Sequence, residues 1–126
     1  MAVAKILVVE DNPFMTKLLE SRLRANDYEV CSSPDGKDAL QKICANRPDL
    51  ILLDVNMPQM NGFDTARELK ADIATSHIPI IFVTAKGEEK DVLRGIEAGA
   101  VTFIIKPFKP EVLLDEINKA LDKTKS

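Results

Sequence analysis

Apolar runs in this sequence repeatedly end on chemically capable residues. ILVV (6–9) is followed by Glu10 and Asp11, LILL (50–53) by Asp54, IPIIFV (78–83) by Thr84, and TFII (102–105) by Lys106. Gathered in one place, three carboxylates would repel one another and lose hydration. One lysine would offset that only in part, so a cation is expected among them. Mg²⁺ suits the donor set, because it takes hard oxygen ligands, keeps several waters and binds through one or two carboxylates plus a phosphate oxygen. Asp11 and Asp54 read as direct ligands; Glu10, one methylene longer, reaches the ion or acts through bound water. With no His or Cys in the set, zinc and copper are disfavoured. Such a site suits phosphoryl transfer to a carboxylate, which asks the protein for positioning and charge neutralisation more than for covalent work. Asp54 reads as the nucleophile, since Asp11 is needed for the metal. Lys106 would neutralise charge, and Thr84 would hydrogen-bond a phosphate oxygen.

The elements that must bring these residues together follow from the same runs. All four are near-continuously apolar, rich in Ile and Val and too short for helices, as interior parallel strands are. A weaker segment, YEVCS (28–32), alternates polar and apolar and suits an edge strand. Helical stripes lie between them. Met15, Leu18, Leu19 and Leu23 share a face behind Pro13, with Asn12 as a cap; Ala39, Leu40, Ile43 and Cys44 form the next, entered through SPDG. Phe63, Ala66 and Leu69 or Lys70 form a third, Val92, Leu93 and Ile96 a fourth that Gly99 stops, and Leu113, Ile117, Ala120 and Leu121 a fifth that opens at Pro110. Five β-α units with right-handed crossovers give an α/β fold, a flavodoxin-like three-layer sandwich with a five-stranded parallel sheet in order 2-1-3-4-5 and five helices. Parallel strands put their carboxyl ends on one edge, and the first and third strands are neighbours. Glu10, Asp11 and Asp54 therefore meet at the crevice where the winding reverses, flanked by Thr84 and Lys106.

Composition limits the alternatives. A chain of 126 residues, 45% hydrophobic, suits one domain, 1–126, around one core. A net charge of −3, with 17 scattered Lys and Arg, offers no positive field to hold nucleic acid directly. Cys31 and Cys44 lack the close pairing of a zinc site or redox dithiol and read as buried free thiols in a reducing cytoplasm. MAVAKILVVED is broken by Lys5 and reaches acids too soon for a signal peptide, and no apolar stretch has membrane-spanning length. A soluble cytoplasmic protein is expected.

VVEDN, LLDVNMPQMNG, VTA and FIIKPF, in this order and at these separations, resemble the receiver domain of two-component response regulators, over about Lys5 to Leu121. The resemblance implies that Asp54 accepts a phosphoryl group from a sensor histidine kinase or a phosphotransfer protein. It also implies that Glu10 and Asp11 form the acidic pair for Mg²⁺ with the backbone carbonyl of Asn56, that Lys106 contacts the phosphate, and that the bond to Pro107 is cis. It further implies a switch, in which Thr84 moves toward the phosphate and Phe103 turns inward. The changed surface would be the fourth helix, fifth strand and fifth helix, including Lys90, Arg94, Phe103 and Glu111, which a downstream partner reads. Slow self-phosphorylation from small donors and self-dephosphorylation are expected in place of enzymatic turnover. Two departures matter. GAVTF carries Val101 and Thr102 where receivers that dimerise for winged-helix DNA binding often carry two acids, which puts that dimer in doubt. The sequence stops at LDKTKS, as either a stand-alone receiver or a fragment of a larger protein would. Asn56 and Lys86 stand where the family tunes acyl-phosphate lifetime.

Each residue also has a plainer reading. A lone Asp after a strand is commonly a turn former or cap, Thr84 a strand-end residue, Lys106 a solvated charge and Phe103 core packing. His77 reads as an exposed loop residue, GEEKDV as a solvated helix start, and Met57 and Met60 as gap-fillers or partner surface. Jointly, the plain reading needs four coincidences at one edge. An aspartyl phosphohydrolase would place a second acid two residues after the nucleophile, where this chain has Asn56. A flavin- or nucleotide-binding module would want a Gly- or Ser/Thr-rich loop after the first strand, not EDNPF. A phosphorylation-independent receiver-like scaffold usually has lost part of the acidic set, which is complete here.

Overall fold

The computed structural model describes residues 3–85 and 87–125. The first unit pairs β1 (Lys5–Val9) with α1 (Pro13–Ala25), the second β2 (Glu29–Ser33) with α2 (Gly36–Asn46), and the third β3 (Leu50–Leu53) with α3 (Gly62–Ala71). β4 (Ile80–Thr84), α4 (Glu89–Glu97), β5 (Thr102–Ile105) and α5 (Pro110–Lys125) complete the alternation. All strand pairs are parallel, in the order β2-β1-β3-β4-β5.

Because successive strand residues face opposite sides, the apolar runs feed two cores. Leu7, Val9, Ile51, Leu53, Ile80 and Phe82 pack with Ala39 and Ile43 of α2 and with Phe63, Ala66 and Leu69 of α3. Ile6, Val8, Leu50, Leu52, Ile81 and Val83 pack with Leu19 and Leu23 of α1 and with Leu113, Ile117 and Leu121 of α5. Full burial of each such side chain contributes roughly 1.5–3 kcal/mol, which makes the three-layer sandwich the stable arrangement for these runs. Helix starts are fixed locally, with Asn12, Asp35 and Asn61 accepting backbone N–H groups of the first turns of α1, α2 and α3.

Four details depart from the sequence pattern. TFII is an edge strand rather than an interior one: among the described residues β5 pairs only with β4, and Ile104 alone of the run is buried while Ile105 is exposed. The run at 78–83 becomes strand only from Ile80, because Pro79 has no N–H to give the ladder, and it extends to include Thr84. Leu18 of α1 is exposed, since Leu19 and Leu23 fill the core-facing stripe. α4 departs furthest, with Leu93 56% and Ile96 47% exposed while its buried positions are Asp91 and Gly95. The physical cause is occupied space, since a Cβ at Gly95 would lie 2.8 Å from Phe103 Cε2 and 3.1 Å from Phe82 Cδ2. Aromatic rings already fill the volume beneath the helix, so its large apolar side chains stand on the far side.

On α3, Leu69 takes the core position. Half-buried Lys70 runs beside it, and its ammonium donates to the carbonyls of Ser76 and Ile78. Cys31 is half-buried and its thiol donates to the Ile6 carbonyl at 3.8 Å, with burial pushing its pKa up. The side chain of Cys44, and Lys86 altogether, lie outside the described residues.

Candidate functional site

The sheet ladder continues one residue beyond the strands and fixes the backbone of each chemically capable position. Glu10 N–H donates to the Ser33 carbonyl at 3.0 Å, Asp54 N–H to the Val9 carbonyl at 3.0 Å, and Lys106 N–H to the Thr84 carbonyl at 2.9 Å. Val9 stands opposite both Ser33 and Leu53, so Glu10 and Asp54 leave neighbouring strands at the same level. Carboxylate oxygens of Glu10, Asp11 and Asp54 all lie within 4.8 Å of one another. Asp11 is exposed, whereas Glu10 is 4% and Asp54 7% exposed.

Lys106 enters this cluster from the end of β5. Its Nζ donates to Glu10 Oε1 at 2.5 Å and lies 3.6 Å from Asp54 Oδ2, so in this state it is held chiefly by Glu10. The other oxygen of Glu10, Oε2, accepts from the backbone N–H of Asn12 at 3.1 Å. Burial raises the Glu10 pKa to about 7, against the opposing effect of these two hydrogen bonds, and the neighbouring charge of Asp54 raises it further. Asp54 is placed differently. Its Oδ1 is buried and has no hydrogen-bond partner among the described residues. A buried acceptor left without a donor is costly, and here it belongs to the central acid of the cluster.

The loop after β3 is pressed against that acid. Gly62 N–H donates to the Val55 carbonyl at 2.9 Å, and a Cβ on Gly62 would lie 2.2 Å from the Asp54 carbonyl oxygen. Only glycine lets the first turn of α3 approach this closely. Asn56 lies exposed in the same loop, two residues beyond Asp54. Thr84 is fully buried as the last residue of β4, and the Lys106–Pro107 peptide bond is cis. Phe103 is half-buried, its ring 5.4 Å from that of Phe82. Lys90, Arg94 and Glu111 are exposed on α4 and at the start of α5, with the Arg94 guanidinium 4.5 Å over the Phe63 ring. Sequence reasoning brought the acids and Lys106 together correctly. It missed the part played by the Asn12 N–H, and it missed Gly62 and Gly95, for which an isolated glycine inside or opening a helical pattern was the available signal.

A parallel 2-1-3-4-5 sheet whose carboxyl edge gathers three acids and a lysine is the arrangement of a signalling receiver rather than of a classical enzyme. Residues 6–118 match the response regulator receiver domain, and the chain belongs to that family of two-component signalling proteins. It is 41% identical over 117 residues to the DNA-binding response regulator MtrA of Mycolicibacterium smegmatis, covering 93% of this chain and 50% of MtrA. It is 43% identical over 114 residues to the response regulator PleD of Caulobacter vibrioides, covering 90% of this chain and 25% of PleD. The chain thus spans half or less of these relatives. Among solved structures it resembles the Vibrio cholerae chemotaxis protein CheY4, with TM-score 0.89, 33% identity, and coverage of 94% of this chain and 99% of that one. It also resembles a response regulator from Chloroflexus aurantiacus, with TM-score 0.92, 32% identity, and coverage of 96% and 99%. Among the described residues, no helix is long and apolar enough to cross a membrane.

Proposed function

We infer that the chain, residues 1–126, is one receiver domain in which Asp54 accepts a phosphoryl group from a histidine kinase or phosphotransfer protein in the cytoplasm. The observation that carries this is the buried Oδ1 of Asp54, unpartnered among the described residues, inside a cluster of acids where the Lys106 ammonium is held mainly by Glu10. Glu10, Asp11, Asp54 and the Asn56 carbonyl are an all-oxygen set that fits Mg²⁺, and the orphaned oxygen is consistent with a cation there. When bound, Mg²⁺ would supply neutralisation of charge on the carboxylates and the incoming phosphoryl group. The protein's own residues do the rest. The ladder from Val9 and the close approach of Gly62 hold Asp54 rigidly for attack on phosphorus, with the donor's leaving group departing opposite. Lys106 lies 3.6 Å from Asp54 Oδ2 and would shift from Glu10 toward a phosphoryl oxygen, and Thr84 would donate its hydroxyl to another.

That contact is the basis of a switch. Thr84 and Phe103 would rearrange together, and phosphate would bias the equilibrium only by the difference in its affinity for the two packings. The partner would read α4, β5 and α5, where Leu93, Ile96, Val101, Ile105 and Val112 form a largely apolar exposed surface beside Lys90, Arg94 and Glu111. MtrA is named as DNA-binding; with a net charge of −3, this chain is not proposed to touch nucleic acid itself. Incubation with acetyl phosphate and Mg²⁺, read by intact mass, should add one phosphoryl group to the wild type and none to a folded Asp54→Asn variant. No adduct in the wild type under any donor would favour a phosphorylation-independent scaffold instead.

A further inference from the structure

We propose that Gly95 is the positioning residue that lets Phe103 rest against α4, so that position 95 sets the resting balance of the switch; this rests on the reading of Phe103 as the switch aromatic. Gly95 lies inside α4, where glycine is disfavoured relative to alanine, and unlike Gly99 (φ +106) it has no left-handed backbone to account for it. What accounts for it is space. A Cβ there would stand 2.8 Å from Phe103 Cε2, 2.9 Å from Phe103 Cδ2 and 3.1 Å from Phe82 Cδ2. Phe82 has no room to yield, being fully buried with its ring centroid 5.4 Å from that of Phe63 as well as from that of Phe103, both pairs tilted. Phe103 can yield, since it is half-buried on an edge strand with one side open. Any side chain at position 95 therefore drives the Phe103 ring outward, toward the face formed by α4, β5 and α5. With glycine, the ring stays seated on Phe82 in the unphosphorylated chain. This pairing also orients α4, because it reserves the helix's inner side for Gly95 and leaves Leu93 and Ile96 facing outward.

The test is Gly95→Ala, read by NMR of the Phe103 ring and by a double-mutant cycle with Phe103→Ala in urea unfolding. Gly95→Ala should abolish the Phe103–Phe82 ring contacts while leaving acetyl-phosphate labelling of Asp54 intact by mass. In the Phe103→Ala background the same substitution should be neutral or stabilising, and its effect on the unfolding constant should differ at least tenfold between backgrounds. If Gly95→Ala fails to fold alone, folding restored by Phe103→Ala supports the assignment, and failure in both backgrounds overturns it. A folded Gly95→Ala that keeps the Phe103–Phe82 contacts, or one with the same effect in both backgrounds, also overturns it. Absence of labelling in the wild type would sink the phosphoryl-acceptor reading instead and would leave the packing result standing.

Discussion

Replacing Glu10 by Gln should stabilise the metal-free protein at pH 8 and leave its stability nearly unchanged at pH 5. Glu10 is 4% exposed, and burial is the main reason its pKa stands at about 7 rather than at the ordinary 4.5. The folded carboxyl thus holds its proton more tightly than the unfolded one. Well below pH 4.5 both forms are protonated and nothing is lost. Between 4.5 and 7 the unfolded chain releases a proton that the fold retains, so stability falls as pH rises, and above 7 the loss is complete. At about 1.4 kcal/mol per pKa unit, that loss is about 3 kcal/mol. Gln mimics the protonated form and escapes it. Gln also surrenders one acceptor, either toward Lys106 or toward the Asn12 N–H, at a cost of about 1 kcal/mol. The net gain at pH 8 is therefore about 2 kcal/mol, and at pH 5 the two effects nearly cancel. Urea unfolding followed by circular dichroism, in chelator at both pH values, measures this. A variant less stable than wild type at pH 8, or one displaced equally at both pH values, would refute the claim that a buried carboxylate is held there at the expense of stability.

The same proton should compete with a cation. Mg²⁺ affinity measured by titration calorimetry is expected to fall about tenfold from pH 8 to pH 6, and a flat profile would separate Glu10 from the metal site. Gly62→Ala, whose new Cβ would meet the Asp54 carbonyl oxygen at 2.2 Å, should cost about 2 kcal/mol or more, because backbone cannot move aside as a side chain can. An unchanged urea midpoint would count against that close approach. Asn12→Ala removes the acceptor for the Phe14 and Met15 N–H groups, at 2.9 and 3.3 Å, and should cost about 1 kcal/mol in the same assay.

The sheet order and the meeting of Glu10, Asp11, Asp54 and Lys106 were legible in the sequence because they depend on a strong, local signal: short apolar runs that each stop on a polar residue. Helix capping by Asn12 was legible for the same reason. The outward face of α4 was not. Val92, Leu93 and Ile96 have the spacing of a core stripe, and nothing local reveals that the rings of Phe82 and Phe103 already occupy the space they would fill. The edge position of β5 follows from the 2-1-3-4-5 order and not from its own run: TFII is as apolar as an interior run, yet Ile105 is exposed because, among the described residues, β5 pairs on one side only. Lys106 was expected at the phosphate, but its closest partner is Glu10. With the ammonium 2.5 Å from Glu10 Oε1 and 3.6 Å from Asp54 Oδ2, the choice between two neighbouring acids is one of three-dimensional geometry that strand-end chemistry alone cannot rank.

The central claim is that the carboxylate of residue 54, and no other, takes the phosphoryl group. Acyl phosphates are reduced by borohydride, so labelling with acetyl phosphate and Mg²⁺, reduction, digestion and peptide sequencing by mass spectrometry should yield homoserine in place of Asp54 in the peptide containing LILLDVNMPQMNG. Reduction product at Glu10 or Asp11 with Asp54 unmodified, or a phosphate that resists borohydride as a serine or threonine ester would, contradicts the account.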